Sequence, residues 1–275
     1  MIRNPAVKLF VYGFLALTCF VMIIPFVYMV SLSLCNDSEI FHFPPPLVPE
    51  KLMFSNAIRA WDSAPFFWYF INTVIVAGSI TALHLFFDPL AGYTFAKFRF
   101  FGRDKLFMLI ISTSLMIPFF VRMIPLYIIV SRLGWTDTYF GLIIPFIMHG
   151  YGIFLMRQFI MPIPNDYIDS ARIDGCTEFG IFLRIILPMC KPALITDGLF
   201  TFIYNWNAFL WPLIVINSPN MRTLTLGLLV FRQEHFIQWN LMAVGALFLF
   251  LPAFMVFLVA QRYFIRGVVM SGLKG

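Results

Sequence analysis

Six long apolar runs constrain the fold of this 275-residue chain more than any other feature. The hydrocarbon core of a bilayer accepts about 20 apolar residues of helix. Runs of that size occupy residues 9–34, 66–95, 106–130, 139–160, 193–216 and 241–259. The chain is 61% hydrophobic and only 12% charged, whereas a soluble domain carries about 25% charged residues. We therefore expect an all-α membrane protein with six transmembrane helices, built as one transmembrane domain over residues 1–275.

The distribution of Lys and Arg predicts the orientation of the chain. Six spans place both termini on one side, and 13 of the 19 basic residues fall on that side. The six on the opposite side are Lys51, Arg59, Arg122, Arg132, Arg222 and Arg232. Because cytoplasmic loops collect Lys and Arg, both termini are expected in the cytoplasm. The net charge of +6 is therefore interpreted as a sign of orientation in the membrane, and no nucleic-acid partner is expected.

Residues 162–192 form a long cytoplasmic segment in which polar and apolar residues alternate. Asn165 is expected to cap a first short helix, whose first turn holds Asp169, and Gly175 is its natural C-terminal stop. Thr177 is expected to cap a second helix through Arg184. On shape alone, the segment is more typical of an amphipathic connector than of a functional surface. Either way, we expect it to contribute little to the core of the bundle.

The residues of this segment favour a more specific interpretation. The run Asp169-Ser170-Ala171-Arg172-Ile173-Asp174-Gly175 is followed, after nine residues, by Ile185-Ile186-Leu187-Pro188. It resembles the coupling-loop signature of ABC-importer permeases, Glu-Ala-Ala, three residues, Gly, nine residues, Ile-x-Leu-Pro. Asp169 replaces the Glu and Ser170 replaces the first Ala. The resemblance implies that the residues coupling the chain to an ATPase are Asp169, Ser170, Ala171, Asp174, Gly175, Leu187 and Pro188.

Three further segments, at 91–98, 206–213 and 261–275, resemble the carbohydrate-uptake branch of that family, which includes the second maltose-permease subunit. The resemblance implies a type I ABC importer permease fold in a bacterial or archaeal cytoplasmic membrane. It also implies a second permease, an extracytoplasmic solute-binding protein and a sugar or oligosaccharide substrate. Two partner ATPase subunits would bind ATP and Mg²⁺, so this chain is expected to be no enzyme and to hold no cofactor. Outer segments 35–65 and 217–240 are expected to be either solvated connectors or a docking surface for an external partner.

Polar residues within the spans leave a rival function open. A proton-coupled secondary transporter would use groups such as Asp88, Asp197, Arg122, His84 and His149, although hydrogen bonding inside the bundle explains each of them more simply. Asn and aromatic side chains suit the hydroxyls and apolar faces of sugars. The candidates for the solute pathway are Tyr204, Asn205, Asn207 and Trp211, of which Trp211 could instead anchor its span at the membrane surface.

The sequence contains no Gly-x4-Gly-Lys-Ser/Thr phosphate loop and no His-Glu-x-x-His motif, so no metal site or catalytic residue is expected. The solute stays open among a sugar, an oligosaccharide, a uronate oligomer, a polyol and glycerol phosphate.

Overall fold

The chain is helical in the computed structural model, which describes residues 5–41, 47–232 and 236–271, with side chains described up to Gln261. Within these ranges there is no β-strand, and one isolated antiparallel bridge joins Arg232 to Ile237. The proline run 44–46 lies outside the described residues. So do the side chains beyond Gln261 of segment 261–275, which resembles the C-terminus of the permease family.

Fourteen α-helices follow one another in the described residues. They are α1 (Pro5–Leu34), α2 (Ser55–Asp62), α3 (Phe66–Lys97), α4 (Arg103–Ile111), α5 (Phe119–Arg132), α6 (Tyr139–Ile143), α7 (Gly150–Ile160), α8 (Asp166–Ile173), α9 (Glu178–Ile181), α10 (Leu187–Met189), α11 (Lys191–Trp206), α12 (Leu210–Val215), α13 (Leu224–Gly227) and α14 (Trp239–Ser271). π-Helical turns at Ser112–Met116 and Phe182–Ile186 extend α4 and connect α9 to α10.

Four helical segments are long and apolar enough to cross a membrane, namely Pro5–Leu34, Phe66–Lys97, Tyr139–Ile160 and Trp239–Gln261. Two bent pairs also qualify. Arg103–Met116 and Phe119–Arg132 meet at 103°, and Glu178–Met189 and Lys191–Trp206 meet at 83°. The number of spans by length and composition is therefore four, or up to six if each bent pair is one span. The all-α membrane class is confirmed.

Three of the predicted spans are not continuous helices. The third is interrupted at Ile117, which is extended (φ −87°, ψ 115°) because the ring of Pro118 disfavours a helical residue before it. In the fourth, the 3₁₀ turn Ile144–Phe146 that follows α6 is separated from α7, which starts at Gly150. The fifth was expected at 193–216, but α11 ends at Trp206 and α12 starts at Leu210. Hydropathy alone does not resolve these breaks, because the residues around them are as apolar as the helices.

The chain forms two compact units, Met1–Phe66 with Gly227–Leu251 and Phe67–Leu226 with Pro252–Gly275. In the first unit, the amide of buried Asn56 donates to the carbonyls of Ser33 and Cys35 at 3.0 and 2.9 Å. The rings of Phe66 and Phe231 stack with centroids 5.5 Å apart. The first pair of contacts holds α2 against the end of α1, and the stacked rings hold the start of α3 against the turn that contains Phe231.

In the second unit, segment 162–192 packs into a hydrophobic core, so the expectation that it contributes little to the core is wrong. Ile168 and Ala171 from α8 are buried together with Ile181, Phe182 and Ile186. They contact side chains of the long helices, which are Tyr93 of α3, Met156 and Ile160 of α7 and Ala193 of α11. The buried apolar residues of the segment lie on one side of each short helix, and that side completes the core.

Candidate functional site: coupling surface and solute pathway

The first short helix of the coupling segment, residues 162–192, ends at Gly175. The N–H of Gly175 donates to the Arg172 carbonyl at 3.0 Å, and the N–H of Cys176 donates to the Ala171 carbonyl at 2.9 Å. This pair of bonds is a Schellman motif, which requires a left-handed residue after the helix. Gly175 has φ +82°, and a Cβ atom added there would meet no neighbour within 4 Å. The expected glycine stop is confirmed.

Of the two N-terminal caps predicted for the short helices, one forms and the other does not. Thr177 caps α9 by accepting a hydrogen bond from the Gly180 N–H at 3.2 Å, as predicted. Asn165 makes no side-chain cap, so that expectation is wrong. Its Oδ1 accepts instead from the ammonium of Lys97 at 3.0 Å, and Lys97 also donates to the Ile163 carbonyl. A lysine at the end of α3 thereby anchors the start of the coupling segment.

The second short helix continues beyond Arg184 to Met189 through the π-helical turn. Pro188 lies inside this helical stretch, and Pro192 lies in the first turn of α11. The break between them falls at Cys190, whose φ and ψ are −95° and 10°. The 83° bend at this point turns the coupling segment directly into α11.

Four side chains link the coupling segment to α3. Arg172 donates to Asp169 Oδ1 at 2.9 Å and to Glu178 Oε1 at 2.6 Å, and the hydroxyl of Tyr93 donates to Glu178 Oε2 at 3.1 Å. The hydrogen bond to Glu178 raises the pKa of the Arg172 guanidinium above its ordinary value, and the bond to Asp169 acts in the same direction. We call Tyr93, Asp169, Arg172 and Glu178 the coupling network.

The predicted coupling residues divide between the surface and the core. Asp169, Ser170, Asp174, Gly175 and Pro188 are exposed, and Leu187 is half-buried. Ala171 is buried against the chain's own core, so its small side chain allows close packing within the chain.

The sequence did not identify the large apolar side chains that the coupling segment exposes, of which Tyr167, Ile173 and Phe179 are the most exposed. Tyr167, Ile173 and Phe179 are 53%, 87% and 52% exposed. The sequence pattern that could have identified them is the presence of large apolar residues outside the buried face of a short amphipathic helix. They are candidates for contact with a partner.

The four predicted pathway residues come together in the structure. Tyr204, Asn205, Asn207 and Trp211 line one cavity of about 480 Å³ in the second unit. Aromatic side chains of other helices, including Phe119 and Phe146, form the apolar part of its lining. Polar amides beside aromatic rings are the combination that a sugar requires, since a sugar presents both hydroxyls and C–H faces.

Hydrogen bonds orient the side chains around the cavity. The indole N–H of Trp211 donates to the Gly141 carbonyl at 3.0 Å, and its ring contacts Phe119 and Phe146. The amide of Asn207 donates to the Ile203 carbonyl at 2.8 Å. Trp211 is 4% exposed, so it acts as part of the bundle's packing as well as of the cavity wall.

Thr223 also lines the cavity and was missed by the sequence reasoning. It is 4% exposed, and its hydroxyl has no hydrogen-bond partner in the part of the chain that the structure describes. A buried hydroxyl without a hydrogen-bond partner destabilises the folded protein. This hydroxyl is therefore available for a hydrogen bond to a solute in the cavity. It lies in the predicted outer segment 217–240, in which no pathway residue is expected from the sequence.

The loop that carries Thr223 is held by α3 and by the turn before α6. Asn72 of α3 donates to the carbonyls of Asn220 and Arg222 at 2.8 and 2.9 Å. Asp137 accepts hydrogen bonds from the N–H groups of Asn217 and Ser218 at 3.1 and 2.9 Å. Although burial acts to raise it, these bonds and that of the Ser218 hydroxyl hold the pKa of the Asp137 carboxyl below its ordinary value.

The polar residues within the spans have identifiable neighbours. His84 lies between Asp88 Oδ2 and the Phe146 carbonyl, each at 2.7 Å. Arg122 donates to the Ser114 carbonyl at 3.4 Å, while its Nε has no partner among the described residues. Asp197 is buried near His84 and Asp88.

Comparisons with known proteins agree with this architecture. Residues 89–270 match the family described as "Binding-protein-dependent transport system inner membrane component". The chain is 36% identical to the arabinooligosaccharides transport system permease protein AraQ of Bacillus subtilis, over 95% of this chain and 96% of that protein. It is 32% identical to the sn-glycerol-3-phosphate transport system permease protein UgpE of Salmonella typhimurium, over 98% and 99%.

A solved structure shares the fold. A chain from the crystal structure of a bacterial ABC transporter involved in the import of the acidic polysaccharide alginate superposes with a TM-score of 0.82 at 23% identity, over 96% of this chain and 99% of that chain. The family match and the curated relatives, together with this fold, establish what kind of protein carries the coupling segment and the cavity. The chain belongs to the family of binding-protein-dependent transport system inner membrane components, the permease subunits of ABC importers.

Proposed function

We propose that this chain, paired with a second permease, forms the pathway for a sugar or oligosaccharide in an importer driven by two ATPase subunits. An extracytoplasmic binding protein delivers the solute, and ATP and Mg²⁺ bind to the partner ATPases. Both termini lie in the cytoplasm, in keeping with the distribution of Lys and Arg.

One structural observation carries the proposal, namely that two helices connect the coupling segment to the cavity. α3 carries Tyr93 of the coupling network and, 20 residues earlier, Thr73 in the cavity wall. At 1.5 Å per residue this separation is about 30 Å, the thickness of the bilayer core. α11 continues from the coupling segment at Cys190 and carries Tyr204 and Asn205 into the same wall.

This connection supports a mechanical role for the coupling segment. A partner ATPase that contacts the exposed residues Tyr167, Ile173 and Phe179 displaces α8 and α9 when it closes on ATP. Arg172 and Glu178 transmit the displacement to Tyr93, and the bend at Cys190 transmits it to α11. Both helices then move the groups that line the cavity, which opens or closes the pathway.

The substrate class rests on the chemistry of the cavity and on the relatives. The lining combines the amides of Asn205 and Asn207 and the hydroxyl of Thr223 with aromatic surface. The name of the Bacillus relative refers to arabinooligosaccharides. The residues that line the cavity are uncharged. A neutral oligosaccharide therefore suits this cavity better than glycerol phosphate.

Uptake by the purified transporter tests the proposal. The complete complex is reconstituted in liposomes with its binding protein outside, and uptake of a labelled arabino-oligosaccharide is measured with ATP enclosed. We expect uptake that requires internal ATP and the binding protein and continues when an uncoupler collapses the proton gradient. Uptake that stops with the uncoupler at constant ATP would instead support a proton-driven secondary transporter.

A further inference from the structure

A buried cluster of ionisable side chains contains no residue of the cavity lining or of the coupling network. His84 and Asp88 of α3 and Asp197 of α11 are 4%, 0% and 2% exposed. One ligand atom from each lies within 4.8 Å of the other two. Intramembrane carboxylates are rare because burying their charge is costly, so two of them beside a histidine need an explanation.

A break in the fourth predicted span explains His84 and Asp88. The chain leaves helical geometry between the 3₁₀ turn Ile144–Phe146 and α7, and this frees backbone groups that must be satisfied inside the protein. His84 Nε2 bonds to the Phe146 carbonyl at 2.7 Å, and the His149 N–H donates to Asp88 Oδ1 at 3.4 Å. Both side chains therefore serve the broken backbone.

The same contact fixes the proton on the histidine ring. A carbonyl oxygen only accepts hydrogen bonds, so Nε2 of His84 carries a proton. In the neutral ring, Nδ1 is then a lone pair that faces Asp88 Oδ2 at 2.7 Å. Two acceptors at this distance require a shared cation, either a proton between them or a metal ion that both atoms bind from one side. A histidine whose second nitrogen donates to a backbone carbonyl is the common arrangement of metal-binding histidines.

Asp197 is not explained by the broken backbone. Its Oδ2 is buried and has no hydrogen-bond partner in the described ranges. An ionised carboxylate in this position would leave an uncompensated negative charge in the protein interior. The ligand atoms of Asp197, His84 and Asp88 all lie within 4.8 Å of one another. Two bonds of about 2.2 Å to one metal ion span up to about 4.4 Å, so the three atoms are close to the spacing of a metal site.

Gly152 of α7 makes room for this arrangement. A Cβ atom at residue 152 would collide with Asp88 Oδ2 and would lie 2.9 Å from Asp197 Oδ1. The two carboxylates therefore press together against one point of the α7 backbone. Any side chain at this position would push them apart.

We propose that His84, Asp88 and Asp197 bind a divalent transition-metal ion such as Zn²⁺, which fastens α3 to α11. One imidazole and two carboxylates suit Zn²⁺ or Mn²⁺, whereas Ca²⁺ and Mg²⁺ prefer oxygen ligands alone. A neutral histidine, two carboxylates and a divalent ion sum to zero charge, which suits a site inside a membrane. Sequence motifs could not reveal the site, because its third residue comes from a different span.

Metal analysis of the complete transporter, purified without a histidine tag, tests the proposal. The complex is treated with EDTA, equilibrated with buffered Zn²⁺ and freed of unbound ion, and zinc is measured by mass spectrometry. We expect the wild type to hold one more zinc ion per chain than Asp197→Asn. The matched control Asp62→Asn, which alters an exposed carboxylate of α2, should equal the wild type.

Two further measurements on the same samples guard against a folding defect. X-ray absorption of the wild type should give nitrogen and oxygen ligands without sulfur at this zinc. Zn²⁺ should raise the unfolding temperature of the wild type but not that of Asp197→Asn, which should assemble normally because it removes a buried charge. Equal zinc content in the two proteins, or sulfur ligands in the wild type, would overturn the proposal.

Discussion

At the scale of single residues, α3 holds the coupling segment through two side chains that are distant from it in sequence. The ammonium of Lys97 donates to Asn165, 68 residues further along the chain. The contact of Tyr93 with Glu178 spans 85 residues. No local pattern in the sequence indicates such pairs, whereas the helix stop at Gly175 and the helix cap at Thr177 depend only on neighbours within a few residues.

Replacing Tyr93 by Phe removes the hydroxyl that joins α3 to Glu178 and keeps the ring that packs on Phe182. We expect normal assembly with ATP hydrolysis that is largely preserved, and uptake lowered several-fold for each ATP consumed. Parallel measurement of ATP hydrolysis and uptake in liposomes checks this. Tyr12→Phe, on an exposed position of α1, is the control, and an unchanged ratio for Tyr93→Phe would contradict the role of the coupling network.

Replacing Thr223 by Val keeps the shape of the cavity wall and removes its unpartnered hydroxyl. A hydrogen bond to a neutral group contributes about 1 kcal/mol, so the solute concentration at half-maximal uptake should rise about fivefold. Thr113→Val is the control, because the hydroxyl of Thr113 is exposed and bonds to the Leu109 carbonyl within its own helix. A Thr223→Val transporter with unchanged affinity would remove this residue from the pathway.

At the scale of helices, the fold class and most of the helical segments followed from hydropathy, whereas the breaks did not. The bend at Ile117 could have been inferred from Pro118, since the residue before a proline avoids helical geometry. The end of α11 at Trp206 has no comparable signal. The inward face of the coupling segment was also missed, because an amphipathic pattern does not say whether its apolar side meets lipid, a partner or the chain's own core.

The two faces of α9 and the turn that follows it can be separated by a pair of substitutions. Phe182 is fully buried and Phe179 is 52% exposed. Phe182→Ala should leave a cavity and destabilise the chain by about 3 kcal/mol, visible as a lower unfolding temperature and a lower yield of assembled complex. Phe179→Ala should leave both unchanged and weaken the binding of the ATPase subunits in a pull-down assay. Equal effects of the two variants would contradict the division of this element into a core face and a partner face.

At the scale of the whole molecule, the proposed orientation rests on the charge asymmetry. In a background without the native cysteines, cysteines at exposed Ser55 and Asn220 should react with an impermeant thiol reagent added outside intact cells. Cysteines at exposed Asp104 and Asp174 should react only after the cells are opened. Labelling of all four positions from outside would be incompatible with cytoplasmic termini and six spans.

The central claim is that residues 162–192 transmit ATP hydrolysis to the membrane helices, and a pair of glycine substitutions tests it most directly. Gly175 and Gly134 both have positive φ, +82° and +69°, with no atom within 4 Å of an added Cβ. Valine imposes similar backbone strain at each, but only Gly175 orients the coupling helix. The measurement is ATP hydrolysis by the reconstituted complex with and without loaded binding protein. The account predicts that the Gly175→Val complex assembles but that its stimulated rate of ATP hydrolysis falls at least tenfold. The Gly134→Val complex should keep the stimulated rate of the wild type. Full stimulation in Gly175→Val, or equal loss in both variants, would contradict the account.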